Sequence, residues 1–247
     1  MSGATRKRVW TSAVAVANND GFIIMLDQQP LRLPGGAVLT LFPRALADAV
    51  AQEWSGAADG TVGATFSAES LPLTRLAATL QERVRPNRAG MIAALRPYAN
   101  SDLLCYRATG PAALAERQQA EWQPWLDWCA TEHGIRMVVT QGVMPVSQPG
   151  EVAAAVDRVL DAQSDPVLTG LGVLVPALGS LVLGLALTAG ALSPPDAARL
   201  ALLDELDQLA RWGADRETEA RHALLGQEVH DAARFVMLSR EAAVGGR

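Results

Sequence analysis

The stretch DPVLTGLGVLVPALGSLVLGLALTAGALSPPD, from Asp165 to Asp196, has no charged residue between its two ends. A membrane-spanning helix needs about 20 consecutive apolar residues. The part that follows Pro176, Ala177–Leu192, would form a helix of only about 24 Å. No aromatic residue stands between Trp128 and Trp212 to form an interfacial belt. We therefore predict the central, buried helix of a helical array, without membrane insertion.

The composition agrees with a mainly helical core. Of 247 residues, 49% are hydrophobic but only 5% are aromatic, so the core must consist largely of Ala, Val and Leu, which favours helices. The net charge is −5 and the pI is near 5.3. A chain of this charge offers no basic field for a phosphate backbone, which argues against nucleic acid as a partner.

Two features bear on the compartment. Cys105 and Cys129 belong to no C-x-x-C motif, and this usage is typical of buried thiols in a reducing compartment. The N-terminal sequence VWTSAVAVA, residues 9–17, imitates a signal peptide, but Thr11 and Ser12 interrupt its apolar region. We interpret it as the first strand, and the lack of an obvious transit peptide favours a bacterial cytoplasm over a mitochondrial matrix.

The first third of the chain predicts a β-meander followed by a helix. Residues 13–42 contain short β-prone runs separated by Asn-, Gly- and Pro-rich turns. Residues 43–56 place Leu46, Val50 and Trp54 at helical spacing. A further short strand is expected within residues 64–70.

From Leu73 onward the apolar spacing is helical. The pattern predicts helices over residues 73–84, 89–108, 111–122, 124–134, 149–163, 193–213 and 215–244, besides the opening stretch, which we expect to break at Pro176. The predicted fold class is α+β, with a small N-terminal β-meander/α module, residues 1–80, followed by a larger all-α helical array, residues 81–247.

The sequence carries no recognisable catalytic motif. It contains no P-loop, no G-x-S-x-G and no H-E-x-x-H. His222 and His230 would lie about 12 Å apart along a helix, too far to share a metal ion. Asp207 and Arg211 are spaced for a surface ion pair on a helix. We expect no catalytic residue, cofactor or metal.

Trp122, Trp125 and Trp128 form a cluster interrupted by Pro124. Such clusters usually belong to the core, but tryptophan is also enriched where proteins bind one another. Both interpretations of Trp122 and Trp125, as core and as partner-binding residues, remain open at this point.

Six stretches, in order, resemble one family. They are LDQQPLRLPGG (26–36), LPLTRLA (71–77), SDLLCYRA (101–108), RQQAEWQPWLDW (117–128), GVMPVSQP (142–149) and LDELDQLARWGAD (203–215). Together they resemble the F1-ATP synthase assembly chaperones that bind the alpha subunit, the mitochondrial F1 complex assembly factor 2 family and its bacterial relatives.

This resemblance implies a molecular chaperone that binds the unassembled alpha subunit and shields its beta-facing surface without nucleotide hydrolysis. It also implies a partner-binding segment, with Glu205, Asp207, Trp212, Asp215 and Glu217 as its residues. The alternative for this segment is a solvated helix end capped by Gly213. We expect the free protein to be a monomer.

Two other functions compete with the chaperone hypothesis. A soluble enzyme with an unrecognised active site would have a deep pocket with convergent polar groups. A membrane-associated assembly factor would share the process but not the location.

Overall fold

The computed structural model describes residues 5–142, 144–213 and 215–240. The chain divides into two compact units, Met1–Arg88 with Arg234–Arg247, and Ala89–Ala233. Short strands precede a mainly helical region, which confirms the α+β fold class. The division into domains at residues 1–80 and 81–247 stays a prediction.

The first unit contains short antiparallel strands and two helices. Its elements before residue 88 are β1 (Thr5–Lys7), β2 (Ala13–Asn18), β3 (Gly21–Leu26), β4 (Gln29–Pro30), β5 (Thr40–Leu41), α1 (Arg44–Gly56), β6 (Thr65–Ser67) and α2 (Pro72–Thr79). β1 pairs with β6, whereas β3 pairs with β2, β4 and β5 in a four-stranded sheet. The meander and the strand expected within residues 64–70 are therefore both present.

The helix α1 packs on the sheet through the residues that its sequence spacing predicted. Leu46, Val50 and Trp54 are all buried. The buried guanidinium of Arg8 donates to the main-chain carbonyls of Trp54, Ser55 and Ala57 at 3.2, 2.6 and 2.9 Å. These carbonyls at the end of α1 have no intrahelical partner and attract positive charge. The strand predicted over residues 9–17 is β2, and it begins only at Ala13 because Arg8, before it, is bound to the end of α1.

Helices dominate the chain after residue 88. The remaining elements are α3 (Arg88–Leu95), β7 (Tyr106–Arg107), α4 (Ala112–His133), β8 (Thr140–Gln141), α5 (Gly150–Asp161), α6 (Asp165–Leu178), α7 (Leu181–Ala189), α8 (Pro194–Ala201), α9 (Leu203–Trp212) and α10 (Arg216–Leu238). The prediction of two helices separated at Pro124 is wrong, since α4 continues through this residue. The predicted helix over residues 89–108 is too long, since α3 ends at Leu95 and β7 follows at Tyr106. The single helix predicted over residues 193–213 is divided into α8 and α9 at Leu202. The last predicted helix ends at Leu238, and its residues 241–244 lie outside the described residues.

The opening stretch forms two helices, α6 and α7. Every residue of α7 from Leu181 to Thr188 is buried, which confirms the predicted core helix. The break predicted at Pro176 is wrong, because α6 runs two residues further and ends where Gly179 adopts a left-handed conformation, with φ of 62°. Among the described residues, no helix combines the length and apolarity needed to cross a membrane.

The buried carboxylate of Asp102 fixes the start of α7. It accepts hydrogen bonds from the hydroxyl of Ser180 at 2.8 Å and from the main-chain N–H of Val182 at 3.0 Å. It also accepts from the N–H of Leu104 at 3.1 Å. The Ser180 hydroxyl in turn accepts from the N–H of Leu183, so the first turn of α7 is capped without water. Burial raises the pKa of Asp102 to about 6, although these hydrogen bonds lower it.

Gly184 permits the close approach of α6 and α7. A Cβ atom at this position would lie 2.8 Å from Cγ2 of Val175 and 3.3 Å from Cδ2 of Leu171. We expect Gly184→Ala to lower the free energy of unfolding by about 1–3 kcal/mol through overpacking. The matched control is Gly226→Ala in α10, where nothing lies within 4 Å of the added Cβ. It should be neutral or stabilise by up to about 1 kcal/mol, as measured by urea denaturation; equal effects would contradict the packing.

The pKa of Asp102 predicts a pH dependence of stability. Because its pKa is raised from 3.8 to about 6 on folding, its contribution to stability is full below about pH 4 and is lost as the pH rises through 6. The stability advantage of the wild type over Asp102→Asn should therefore shrink by about 3 kcal/mol between pH 4 and 7. Urea denaturation of both proteins across this range measures the difference. Parallel pH profiles would contradict the assignment.

Candidate partner-binding surface

The helix α9 ends at an exposed tryptophan shortly before α10 begins. α9 ends at Trp212, and Gly213 caps it by donating its N–H to the carbonyl of Leu209 at 2.9 Å. The ring of Trp212 is 86% exposed. Asp215 and Glu217, which follow along the chain, are exposed as well. We call Trp212, Asp215 and Glu217 the corner surface.

The sequence of α9 explains why Trp212 faces solvent. Leu203, Leu206, Leu209 and Trp212 recur at intervals of three residues. In a helix with 3.6 residues per turn, such a row drifts by about 60° at each step. Leu203 is buried, whereas Leu206 and Leu209 are half-buried. Trp212, about 180° around the helix from Leu203, is therefore directed away from the core.

Glu205 joins α9 to α10. Its carboxylate accepts hydrogen bonds from both terminal nitrogens of Arg221, at 2.5 and 3.2 Å. The same carboxylate lies 2.8 Å from Nε2 of His222. The hydrogen bond from Arg221 lowers the pKa of Glu205 most, so the carboxylate is ionised at neutral pH. Glu205 thus links α9 to α10, and this link leaves less of its charge available to a partner.

Two other acids of this segment, Asp207 and Asp215, also have partners within the chain. Asp207 pairs with Arg211 at 2.5 Å, which confirms the predicted ion pair. Asp215 caps α10 by accepting from the N–H of Thr218 at 2.7 Å, and this hydrogen bond lowers its pKa. Glu217 lies in the first turn of α10, where the helix dipole favours negative charge. Asp215 and Glu217 are nevertheless exposed, three and five residues after Trp212 along the chain.

The tryptophan cluster of α4 belongs largely to the interior. Trp122 is fully buried, and its Nε1 donates to the carbonyl of Leu200 at 3.0 Å. The guanidinium of Arg107 stacks on its ring at 5.2 Å from the centroid. Trp122 therefore cannot contact a partner in this conformation, which corrects its place in the predicted site. Trp125 is half-buried, with its ring centroid 6.4 Å from that of Trp128.

Comparison with known proteins places the chain in a family. The family model described as ATP12 chaperone protein matches residues 7–130. The crystal structure of Atp12 from Paracoccus denitrificans is similar to the chain over nearly its whole length, with 38% sequence identity, 95% of this chain and 98% of that chain covered, and a TM-score of 0.87. The chain belongs to the ATP12 chaperone family. It is accordingly a chaperone of ATP synthase assembly.

A second solved structure is also similar to the chain over nearly its whole length. The crystal structure of a chaperone candidate from Agrobacterium tumefaciens shares 31% identity with the chain. The alignment covers 96% of this chain and 87% of that chain, with a TM-score of 0.88. The similarity therefore extends over both units of the chain, including the helices α9 and α10 that carry the corner surface.

The sequence analysis did not single out Leu224, an exposed apolar residue of α10. Leu224 is 71% exposed. Val229, Ala232 and Val236 are buried at spacings of three and four residues, and they define the inward face of α10. Leu225 falls on this face four residues before Val229, so its neighbour Leu224 lies about 100° away from it. The sequence contained this signal in the adjacent pair of leucines.

The groups that could bind a metal or react with a substrate are dispersed or buried. Within residues 5–142, 144–213 and 215–240, no three His, Cys, Asp or Glu side chains are grouped to hold a metal ion. Cys105 and Cys129 are free and buried, as predicted. Burial raises the pKa of both thiols to about 12, so that both are protonated and poorly nucleophilic at neutral pH.

The division between the corner surface and the core is testable by stability. Trp212→Ala should change the free energy of unfolding by less than about 0.5 kcal/mol, because the ring is solvated. Trp122→Ala should lower it by about 3–5 kcal/mol, because it leaves a large cavity and an unpaired carbonyl at Leu200. Urea denaturation of the two variants measures both values. Similar losses would mean that Trp212 is packed in solution.

Proposed function

We propose that this ATP12-family protein binds the unassembled alpha subunit of F1 and covers the surface that the beta subunit later occupies. In this proposal the protein acts as a monomer in the bacterial cytoplasm and needs neither a cofactor nor nucleotide hydrolysis. Family membership supports the assembly role. The exposed ring of Trp212, at the edge of a well-packed helical unit, is the observation that carries the choice of surface.

An exposed tryptophan offers a large apolar surface for contact with a partner. The side chain presents 150–250 Å² of largely apolar surface, and contact with a partner would remove much of it from water. Tryptophan is therefore enriched among the residues that contribute most to binding. A free alpha subunit would expose the apolar surface that beta later covers, and such surface causes aggregation. A chaperone that covers this surface would prevent the aggregation.

The acids of the corner surface are better suited to orient the partner than to strengthen its binding. Asp215 and Glu217 are exposed acids that follow Trp212 closely along the chain. Charges in such positions steer encounter and select the partner, while adding little to the free energy of binding. Glu205 is proposed to act indirectly, by linking α9 to Arg221 of α10, and Asp207 by its ion pair with Arg211 within α9, one residue before Trp212. The half-buried Trp125 is not needed for this proposal.

Release requires no energy source in this scheme. If the chaperone and the beta subunit compete for one surface of alpha, the beta subunit displaces the chaperone by mass action once its concentration and affinity are sufficient. The sequence, which has no P-loop, agrees with such a mechanism.

The proposal predicts that Trp212 is needed for binding. Co-expression of the chain with the alpha subunit of the same organism should yield a complex on size exclusion, and addition of beta should dissociate it. Trp212→Ala should raise the Kd at least about tenfold, since it removes a central apolar contact. Val62→Ala removes an exposed apolar side chain in the turn before β6 and should change the Kd less than about twofold.

Two results would contradict the proposal at different levels. If alpha aggregates equally with and without the chain, and no complex elutes, the partner is wrong. If a complex forms with equal affinity for the wild type and Trp212→Ala, the partner stands and the corner surface is wrong.

A further inference from the structure

The strand β2 lies at the edge of its sheet, and its hydrogen-bonding pattern can be assigned residue by residue. The N–H of Asp27 donates to the carbonyl of Ser12 at 3.0 Å. Ser12 and Asp27 are the next pair in the register of β2 and β3, directly before the pair of Ala13 and Leu26. Hydrogen-bonded and non-hydrogen-bonded pairs alternate along an antiparallel ladder. Val14 and Val16, two and four residues after Ser12, therefore direct their main-chain groups toward β3.

The intervening residues direct their main-chain groups to the free side of β2. The carbonyl of Ala13 is covered there, because it accepts from the hydroxyl of Ser55 at 3.3 Å. Beyond it, the N–H and C=O of Ala15 and of Ala17 form a ladder of four unpaired groups. Within residues 5–142, 144–213 and 215–240, β2 pairs only with β3, and no other chain segment bonds to these four groups.

The usual protection of an edge strand is missing here. Exposed edges are normally blocked by lysine, proline or a bulge. Ala13–Asn18 is a regular run of six residues, AVAVAN, without lysine or proline. Val14 and Val16 are 49% and 43% exposed on one face of the strand. Their partners in β3 are Met25 and Ile23, which extend the apolar face.

A groove runs beside this edge and is bounded on its other side by α1. Its volume is about 390 Å³, and Ala13, Val14 and Ala15 line one wall. The other wall contains Arg44, Asp48, Gln52 and Ser55, which recur along one face of α1. Arg44 and Asp48 form an ion pair at 2.9 Å. The space between the edge strand and the helix therefore has an apolar rim and a polar wall.

We propose that the free edge of β2 binds an extended segment of the client polypeptide as an added strand. The proposal rests on the proposed function in assuming a client, the alpha subunit. Four main-chain groups at strand spacing are complementary to another extended backbone. Because side chains alternate in a strand, the segment would carry apolar residues at every second position, beside Val14 and Val16. The residues between them would be small or polar and would face Arg44 and Asp48 of the groove.

Amide hydrogen exchange at single-residue resolution tests the added strand directly. In the free protein, the amides of Val14 and Val16 should be protected by β3, whereas those of Ala15 and Ala17 should exchange rapidly. In the complex with alpha, exchange at Ala15 and Ala17 should slow at least about tenfold. Val14 and Val16 serve as internal controls, since their protection does not depend on the client.

A pair of substitutions at one position provides the matched variants. Val16→Lys places a charge on the exposed face of the edge, where natural edges use lysine to prevent pairing. It should weaken binding of alpha about tenfold. Val16→Thr retains a β-branched side chain without the charge and should change binding less than about twofold. Both variants should retain the protection of the Val14 amide, which shows that the hairpin is folded.

The outcomes separate this inference from the proposed function. If alpha co-elutes but Ala15 and Ala17 still exchange rapidly, the chaperone proposal stands and the added strand is overturned. If alpha does not co-elute, overlapping ten-residue peptides of alpha are added instead, and exchange is measured at the same two amides. Slower exchange at Ala15 and Ala17 with at least one peptide supports the strand site. Unchanged exchange with every peptide overturns it. If Ala15 and Ala17 become protected in the free protein as its concentration rises, the edge binds a second copy, which also overturns it.

Discussion

The carboxylate of Asp102 is the contact on which the helical unit depends. It is fully buried, and it accepts hydrogen bonds both from the turn that follows it and from the start of α7, about 80 residues later in the chain. α7 is apolar on all sides and offers no polar face by which to orient itself. Asp102 and Ser180 supply the polar capping that sets where this helix begins. The cost of this arrangement is a buried carboxyl whose pKa rises to about 6.

The two proposed contacts differ in their physical character. The corner surface presents one large aromatic side chain with acids at its rim, so its binding would depend on the shape and apolarity of the partner. The edge of β2 presents main-chain groups, so its binding would depend on an extended conformation and little on sequence. A client that lacks its final partners offers both kinds of feature, apolar surface and unpaired strands. Each contact is proposed independently and concerns a different unit of the chain.

The sequence predicted those features that depend on local spacing. The buried face of α1, with Leu46, Val50 and Trp54, and the burial of α7 follow directly from the order of apolar residues. Other features depend on distant contacts that spacing does not contain. Pro124 did not end a helix. Trp122 is buried, with the guanidinium of Arg107 over its ring and its N–H donating to the carbonyl of Leu200. The roles of Glu205 and Asp102 likewise depend on partners far along the chain.

The most direct measurement is site-specific photocrosslinking from position 212 in the presence of the F1 alpha subunit. A photoreactive amino acid in place of Trp212 reports which atoms lie within a few ångströms of the corner surface, and mass spectrometry locates the linked residues. The account predicts crosslinks to the face of alpha that contacts beta in the assembled ring, and their loss when beta is added first. Crosslinks to another face of alpha, or none from this position while the two proteins still co-elute, would contradict it.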